Sequence, residues 1–197
     1  DKTVEASKNT EVKAGSIAID EAHFPDKVFR EQIIAEFDKD GDSVLSVDEI
    51  SKAQFLNLHD MKTISSLEGI QYLTNLQSLD VSTTSVSDLS PVKNSSLKRL
   101  DCRSSKVRSV DLTRYPNLEA FVCDNTSINS LDVSKNEKLN TLFADSTSIS
   151  NLDVTNNPNL EQLSCSNTGL MELDVTHNPQ LVTLDIGDTK VKTLDIS

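Results

Sequence analysis

Between Leu97 and Gln180 the chain writes one pattern of apolar and polar positions four times: LKRLDCRSSKVRSVDLTRYPN, LEAFVCDNTSINSLDVSKNEK, LNTLFADSTSISNLDVTNNPN and LEQLSCSNTGLMELDVTHNPQ. The opening residues Leu97, Leu118, Leu139 and Leu160 set a period of 21 residues, and looser copies open at Leu76 and Leu181. Counted from that first leucine, the apolar positions are 1, 4, 6, 11, 14 and 16: Leu97, Leu100, Cys102, Val107, Val110 and Leu112 in one copy. Positions 4 to 6 predict a short strand that is apolar on one face only. A fixed period of this size is the signature of a solenoid, because one repeat cannot bury its own apolar side chains and stacked repeats can. The expected architecture is a right-handed solenoid. It has a short parallel sheet on its concave side and an extended, turn-rich return on its convex side, since 21 residues leave little room for a convex helix.

The N-terminal part follows other rules, and three segments are expected: a disordered polar leader over 1–18, a helical cap over 19–54 and the solenoid over 55–197. Residues 26–37 carry Val28, Phe29, Ile33, Ile34 and Phe37 at helical spacing, after a start signal at Phe24-Pro25-Asp26. A second short helix is predicted from Val47 to Ala53. Between them lies DKDGDSVLSVDE, residues 38–49, so the outline is helix, twelve-residue acidic loop, helix, as in an EF-hand. Asp38, Asp40 and Asp42 take the first three ligand positions, Val44 offers its carbonyl, Ser46 takes the ninth position and Glu49 the twelfth. This set predicts a structural Ca²⁺ site, with Ser43 standing where glycine ordinarily makes the sharp turn. With or without the ion, the hairpin is expected to cover the open first coil. Phe55 to Asn75 reads as a divergent first turn, with Leu56 and Leu58 on its strand.

Within the regular copies, position 9 is always Thr or Ser (Thr84, Ser105, Thr126, Thr147, Thr168, Thr189), whose hydroxyl is expected to bond the backbone of neighbouring turns. Position 15 is Asp in Asp111, Asp132, Asp153, Asp174 and Asp195, each placed to make an Asx turn. The Asn157-Pro158 and Asn178-Pro179 pairs read as turn signals. Cys102, Cys123 and Cys165 share position 6, with Ala144 filling the gap, and read as buried, reduced thiols.

The LxxLxC…LDVSxNP pattern at this period resembles the leucine-rich repeats of bacterial internalins, above all the subgroup with a cysteine ladder. FPDKVFREQI…LSVDEI…ISSLEGIQYLTNL resembles the helical cap that precedes such repeats. The likeness runs from about Ile19 to Ser197, and it departs from the usual repeat in lacking Asn at position 9. It implies an α/β leucine-rich repeat solenoid with an EF-hand-like cap. It also implies a protein outside or on the surface of a bacterium that binds host or other surface molecules.

Charge and residue content narrow the function classes. A net charge of −12 argues against nucleic acid and anionic membrane surfaces. No apolar run approaches the roughly 18 residues of a spanning helix. The start at Asp1 reads as a processed form, and the stop at Leu194-Asp195-Ile196-Ser197, mid-repeat, predicts self-association through an uncapped end. The three histidines, His23, His59 and His177, match no metal spacing, and five glycines form no phosphate loop, so no enzyme is expected. Binding is expected on the outward strand positions 3, 5, 7 and 8. Position 5 runs Asp80, Asp101, Val122, Phe143, Ser164, Asp185, apolar in the middle and acidic at the ends. The candidate protein-binding patch is Phe143 and Val122 with Asp101, Arg99, Arg103, Asp124, Asp145 and Gln162. Three readings are open: protein recognition or adhesion, carbohydrate capture as part of a larger secreted protein, and a spacer without a ligand.

Overall fold

The cap is built before the first coil. In the computed structural model, which describes residues 14–192 and 194–195, strand β1 (Ile17–Ala18) leads to helix α1 (Lys27–Phe37), strand β2 (Val44–Leu45) and helix α2 (Val47–Lys52). The polar leader over 1–13 and Ile196 at the other end lie outside the described residues. The expected leader reaches too far, because Ile17 and Ala18 pair antiparallel with Leu45 and Val44, and Ile19 is buried. The short apolar run Ile17-Ala18-Ile19 closes a two-stranded ribbon with the end of the loop. Helix α1 starts at Asp26, whose side chain accepts the Val28 and Phe29 amides. Helix α2 starts in a capping box formed by Ser46 and Glu49.

The solenoid follows as β3 (Phe55–Asn57), β4 (Ser78–Asp80), β5 (Arg99–Asp101), β6 (Ala120–Val122), β7 (Thr141–Phe143), β8 (Gln162–Ser164), β9 (Leu173–Asp174), β10 (Thr183–Asp185) and β11 (Leu194–Asp195). All except β9 and β11 form one parallel sheet in chain order, and those two pair separately on the return side. Leu79, Leu100, Phe121, Leu142 and Leu163 stand in register across β4 to β8 and are fully buried. Cys102, Cys123 and Cys165 lie buried and unpaired one step behind them, and burial pushes each thiol up, to about 12 at Cys165. The returns are extended as expected, apart from short 3₁₀ turns at Ile70–Tyr72 and Leu112–Arg114.

Two ladders tie coil to coil. The first is the sheet, prolonged past each strand by the bonds of position 6 and position 8, such as Cys102 N–H to the Val122 carbonyl and Ser104 N–H to the Asp124 carbonyl. Position 8 takes a left-handed backbone in every regular copy, φ from 54 to 57° at Thr83, Ser104, Asn125, Ser146, Asn167 and Asp188, and this bend carries the chain from sheet to return. The second ladder runs through the interior at position 19. Asn157 donates from its side-chain amide to the carbonyls of Val133 (3.0 Å) and Asn136 (2.9 Å) in the preceding coil. Asn136 and Asn178 do the same one coil earlier and later, and Asn94 reaches the Leu73 carbonyl. The copy that lacks Asn has Tyr115, whose hydroxyl donates to the Val92 carbonyl at 3.0 Å. These residues are buried, and the four Asn side-chain oxygens meet no protein donor, so the ladder works through its donors. The expectation for position 9 is therefore corrected. Thr84, Ser105, Thr126, Thr147, Thr168 and Thr189 bond the carbonyl three residues back in their own coil. At position 9 the short side chain meets a carbonyl of its own turn first, whereas Asn and Tyr at position 19 reach the coil before.

One carboxylate fastens the cap to the first coil. While one oxygen of Asp26 caps α1, the other accepts the amides of Ser65 (2.9 Å) and Ser66 (3.2 Å) and the Ser65 hydroxyl. Partial burial opposes its charge, but the Ser65, Phe29 and Ser66 amides outweigh that and hold the carboxyl below its ordinary value. Beside it Phe24 is fully buried against Phe29 and Tyr72. Gly69 (φ 105°) passes so close that any Cβ would overlap the Phe24 ring and the His23 carbonyl.

Two stability measurements check these ties. Asn157→Ala strands two buried carbonyls and should cost about 2–3 kcal/mol in urea unfolding, whereas Asn151→Ala, exposed in the same coil, should cost less than about 0.5. Asp26→Ala should cost about 2 kcal/mol at neutral pH. Because the folded pKa is depressed, that contribution is complete above the unfolded value near 3.9. It is lost as pH falls through the folded pKa, so wild type and variant should converge in acid.

Candidate functional site: the concave sheet

The sheet has an outer face, and its side chains come from alternate strand residues. Column 3 runs Phe55, Ser78, Arg99, Ala120, Thr141, Gln162, Thr183; column 5 runs Asn57, Asp80, Asp101, Val122, Phe143, Ser164, Asp185. Positions 7, just past the strands, add Ser82, Arg103, Asp124, Asp145 and Ser166. All eight residues of the expected patch fall on this face, but they are not equally available. Arg99, Arg103 and Gln162 are exposed, and Phe143, Asp124 and Asp145 are half-buried. Val122 and Asp101 are each only 1 % exposed, which corrects the expectation that column 5 stands clear of the core. In a concave sheet, in-register neighbours lean together. Val122 sits between Asp101 and Phe143, and the Arg103 guanidinium folds over Asp101 with Nε at 3.0 and 3.1 Å from the two carboxylate oxygens.

Carboxylates and hydroxyls then link coil to coil across the face. Asp124 accepts the Asp145 amide at 2.8 Å. Asp145 in turn accepts the Ser164 hydroxyl at 2.6 Å and the Ser166 amide at 2.7 Å, and the Ser166 hydroxyl donates to Asp185. At the other end Ser82 links the His59 ring (2.8 Å) to Asp80. Partial burial, together with the Asp145 and Asp101 charges, pushes the Asp124 carboxyl above its ordinary value, against the pull of the Asp145 amide and Arg103. The face is thus preorganised and acidic, with one cation, Arg103, already closed onto its own aspartate.

Phe55 is the residue that the sequence reading passes over. It is 68 % exposed at the N-terminal edge of the face, in register with Ser78. The signal was present: Leu56 and Leu58 point inward, so Phe55 and Asn57 must point out. On the opposite flank, a groove of about 1020 Å³ follows the position-14 leucines Leu131, Leu152, Leu173 and Leu194. Asp111, Asp132, Asp153 and Asp174 line that flank one residue further on. Each accepts the amide two residues ahead, as the Asx-turn reading expects, and these local bonds hold their carboxyls below the ordinary value.

The acidic loop of the cap brings part of its expected ligand set together. Carboxylate oxygens of Asp38, Asp40 and Asp42 lie within 4.8 Å of one another, and Ser43 adopts the left-handed turn at φ 63°. Glu49 is not one of that cluster. Its oxygens accept the amides of Lys39 (2.7 Å) and Ser46 (2.9 Å) and the Ser46 hydroxyl (2.7 Å), and Ser46 caps α2. Val44 lies in β2. The residues fit Ca²⁺ in part: three monodentate carboxylates converge, and the bidentate one is occupied by the backbone. Among the described residues no helix is long and apolar enough to cross a membrane.

Comparison with known proteins rests on structure. No protein-family model matches the sequence, and no curated protein matches it. Internalin C2 from Listeria monocytogenes strain 4b F2365 superposes with a TM-score of 0.84 at 22 % identity, over 93 % of this chain and 83 % of that one. The functional domain of InlJ from Listeria monocytogenes, which includes a cysteine ladder, gives 0.62 at 23 % identity over 92 % of this chain and 49 % of that one. A leucine-rich repeat protein of Leptospira interrogans gives 0.64 at 18 % identity, over 72 % and 38 %. At these identities the likeness is one of fold, and the fold is that of an internalin-like leucine-rich repeat solenoid.

Proposed function

We propose that the chain is a non-catalytic recognition module that holds a protein partner on its concave sheet, outside or on the surface of a bacterium. A protein-interaction module is what the internalin-like neighbours suggest. The observation that carries the concave assignment is the face itself. Seven in-register strands hold an exposed Phe55, a half-buried Phe143 and a row of carboxylates in fixed positions. Rigid aromatics amid polar groups are the usual anchors of protein interfaces. Carbohydrate capture is less well supported, since sugar rings stack on several open aromatics and Phe143 is half covered. The host or bacterial surface is proposed as the source of the partner because Listeria internalins are among the structural neighbours.

For the cap we propose a turn held by its own amides, to which Ca²⁺ adds as a weak structural ligand. Asp38 alone accepts the amides of Gly41, Asp42 and Ser43, so the loop closes on itself before any cation arrives. With a Kd in the millimolar range of extracellular modules, free Ca²⁺ at a concentration equal to that Kd would add about 0.4 kcal/mol.

Both readings are testable. Phe55→Ala and Phe143→Ala should each weaken binding to intact cells or bacterial surfaces about tenfold or more, while Met171→Ala, exposed away from the concave columns, leaves it unchanged. Equal binding by all three variants would end the concave assignment. In the cap, Asp38→Ala should lower stability by about 1–2 kcal/mol even with chelator present. A melting point that collapses on chelation of the wild type would show instead that the ion, and not the amides, makes the turn.

A further inference from the structure

We infer that the concave sheet receives an arginine side chain from its protein partner, seated on the Phe143 ring between the carboxylates of Asp124 and Asp145. This rests on the concave-face reading and adds the chemistry of the partner.

Three observations lead there. The first is geometric. Phe143 is flanked in register by Val122 on one strand and Ser164 on the other. Asp145 leans over Ser164, its Oδ1 accepting the hydroxyl at 2.6 Å, and Asp124 reaches the Asp145 amide at 2.8 Å. Both carboxylates therefore stand beside the ring, on neighbouring coils about 4.8 Å apart. The second is free acceptor capacity at the surface. All bonds to Asp124 and Asp145 go to Oδ1, which leaves Oδ2 of each without a protein donor among the described residues. The third is charge. The face carries Asp80, Asp101, Asp124, Asp145 and Asp185 against Arg99 and Arg103, and Arg103 is closed onto Asp101. Neither Asp124 nor Asp145 makes a salt bridge among the described residues, and Arg103 acts on Asp124 only from a distance. Partial burial of Asp124 with a like charge beside it is a strain that an incoming cation relieves.

Arginine fits better than lysine. Its planar guanidinium stacks on an aromatic face and still directs a fork of donors at two acceptors, whereas an ammonium is a compact, strongly hydrated point charge. A divalent metal fits worse, because two half-buried carboxylates are fewer ligands than Ca²⁺ takes.

The test uses the 197-residue chain with fluorescein-labelled Gly-Arg-Gly-Arg-Gly-Arg and Gly-Lys-Gly-Lys-Gly-Lys peptides, read by anisotropy at low salt. The arginine peptide should bind more tightly than the lysine peptide. The isosteric pair Asp124→Asn with Asp145→Asn should weaken it about tenfold or more. Phe143→Leu should bring the two peptides to near-equal affinity. Asp132→Asn with Asp153→Asn, on the other flank, should leave both within about twofold. Unfolding curves of each variant separate lost binding from lost folding. Equal weakening by both double variants would reduce the effect to diffuse charge and overturn the assignment, as would failure of the arginine peptide to bind. If the arginine peptide fails while Phe55→Ala still abolishes cell-surface binding, only the arginine site falls. If the cell-surface binding is indifferent to Phe55 and Phe143, the concave reading falls with it.

Discussion

A backbone wound into coils must find a hydrogen-bond partner for every buried carbonyl, and that demand shapes this molecule. On the strand side the neighbouring coil supplies the partner directly, through seven parallel strands. On the return side backbone bonds between coils are sparser, as from the Ser148 amide to the Ile128 carbonyl and between β9 and β11, and they leave interior carbonyls unmet. Asn94, Asn136, Asn157, Asn178 and Tyr115 meet the demand from the interior, each lending a donor to the coil before it. The leucines supply the free energy of stacking. The sheet and the position-19 donors decide that the coils stack in one register.

That register governs what the outer face can be. Because each strand copies the last, outward residues form straight columns, and concavity presses the columns together. Crowding explains why an apolar residue in the middle of column 5, Val122, is buried while Phe55 at the open edge is not. It also explains why Asp101 is held by its own arginine: a carboxylate 1 % exposed needs a partner within reach, and Arg103 is two residues away. The exposed chemistry of the face therefore shifts from the composition of the columns toward their edges and toward the residues just past the strands.

The sequence made the coils legible and left the ladder obscure, for a definable reason. Period and apolar positions depend on burial, which a list of leucines reports faithfully; Leu100, Phe121, Leu142 and Leu163 all lie where the pattern puts them. Hydrogen-bond reach depends on side-chain length and direction, which the pattern does not report. Thr at position 9 and Asn at position 19 both read as turn residues, yet one bonds within its coil and the other across coils. The substitution of Tyr115 for Asn hid the ladder further, because the two share no obvious chemistry until their donors are traced to the same row of carbonyls. The acidic loop was legible as an outline. Its twelfth-position Glu49 belongs to a capping box that the same residues also spell.

The distribution of acid, rather than its amount, separates structure from function here. Aspartates on the return flank each bond forward within their own turn, so Asp111, Asp132, Asp153 and Asp174 are exposed, locally satisfied and alike from coil to coil. On the concave face Asp101 is closed by the arginine of its own coil, whereas Asp124 and Asp145 each accept the position-7 amide of the next coil and Asp145 also accepts the Ser164 hydroxyl. A repeated local bond can be explained by the fold alone. Position 7 is aspartate in only two coils, against Ser82, Arg103, Ser166 and Gly187 in the others, and those two are the coils where the strand column changes from aspartate to valine and phenylalanine. That break in periodicity coincides with the aromatic of the column, Phe143, and supports the proposal that the binding region lies there.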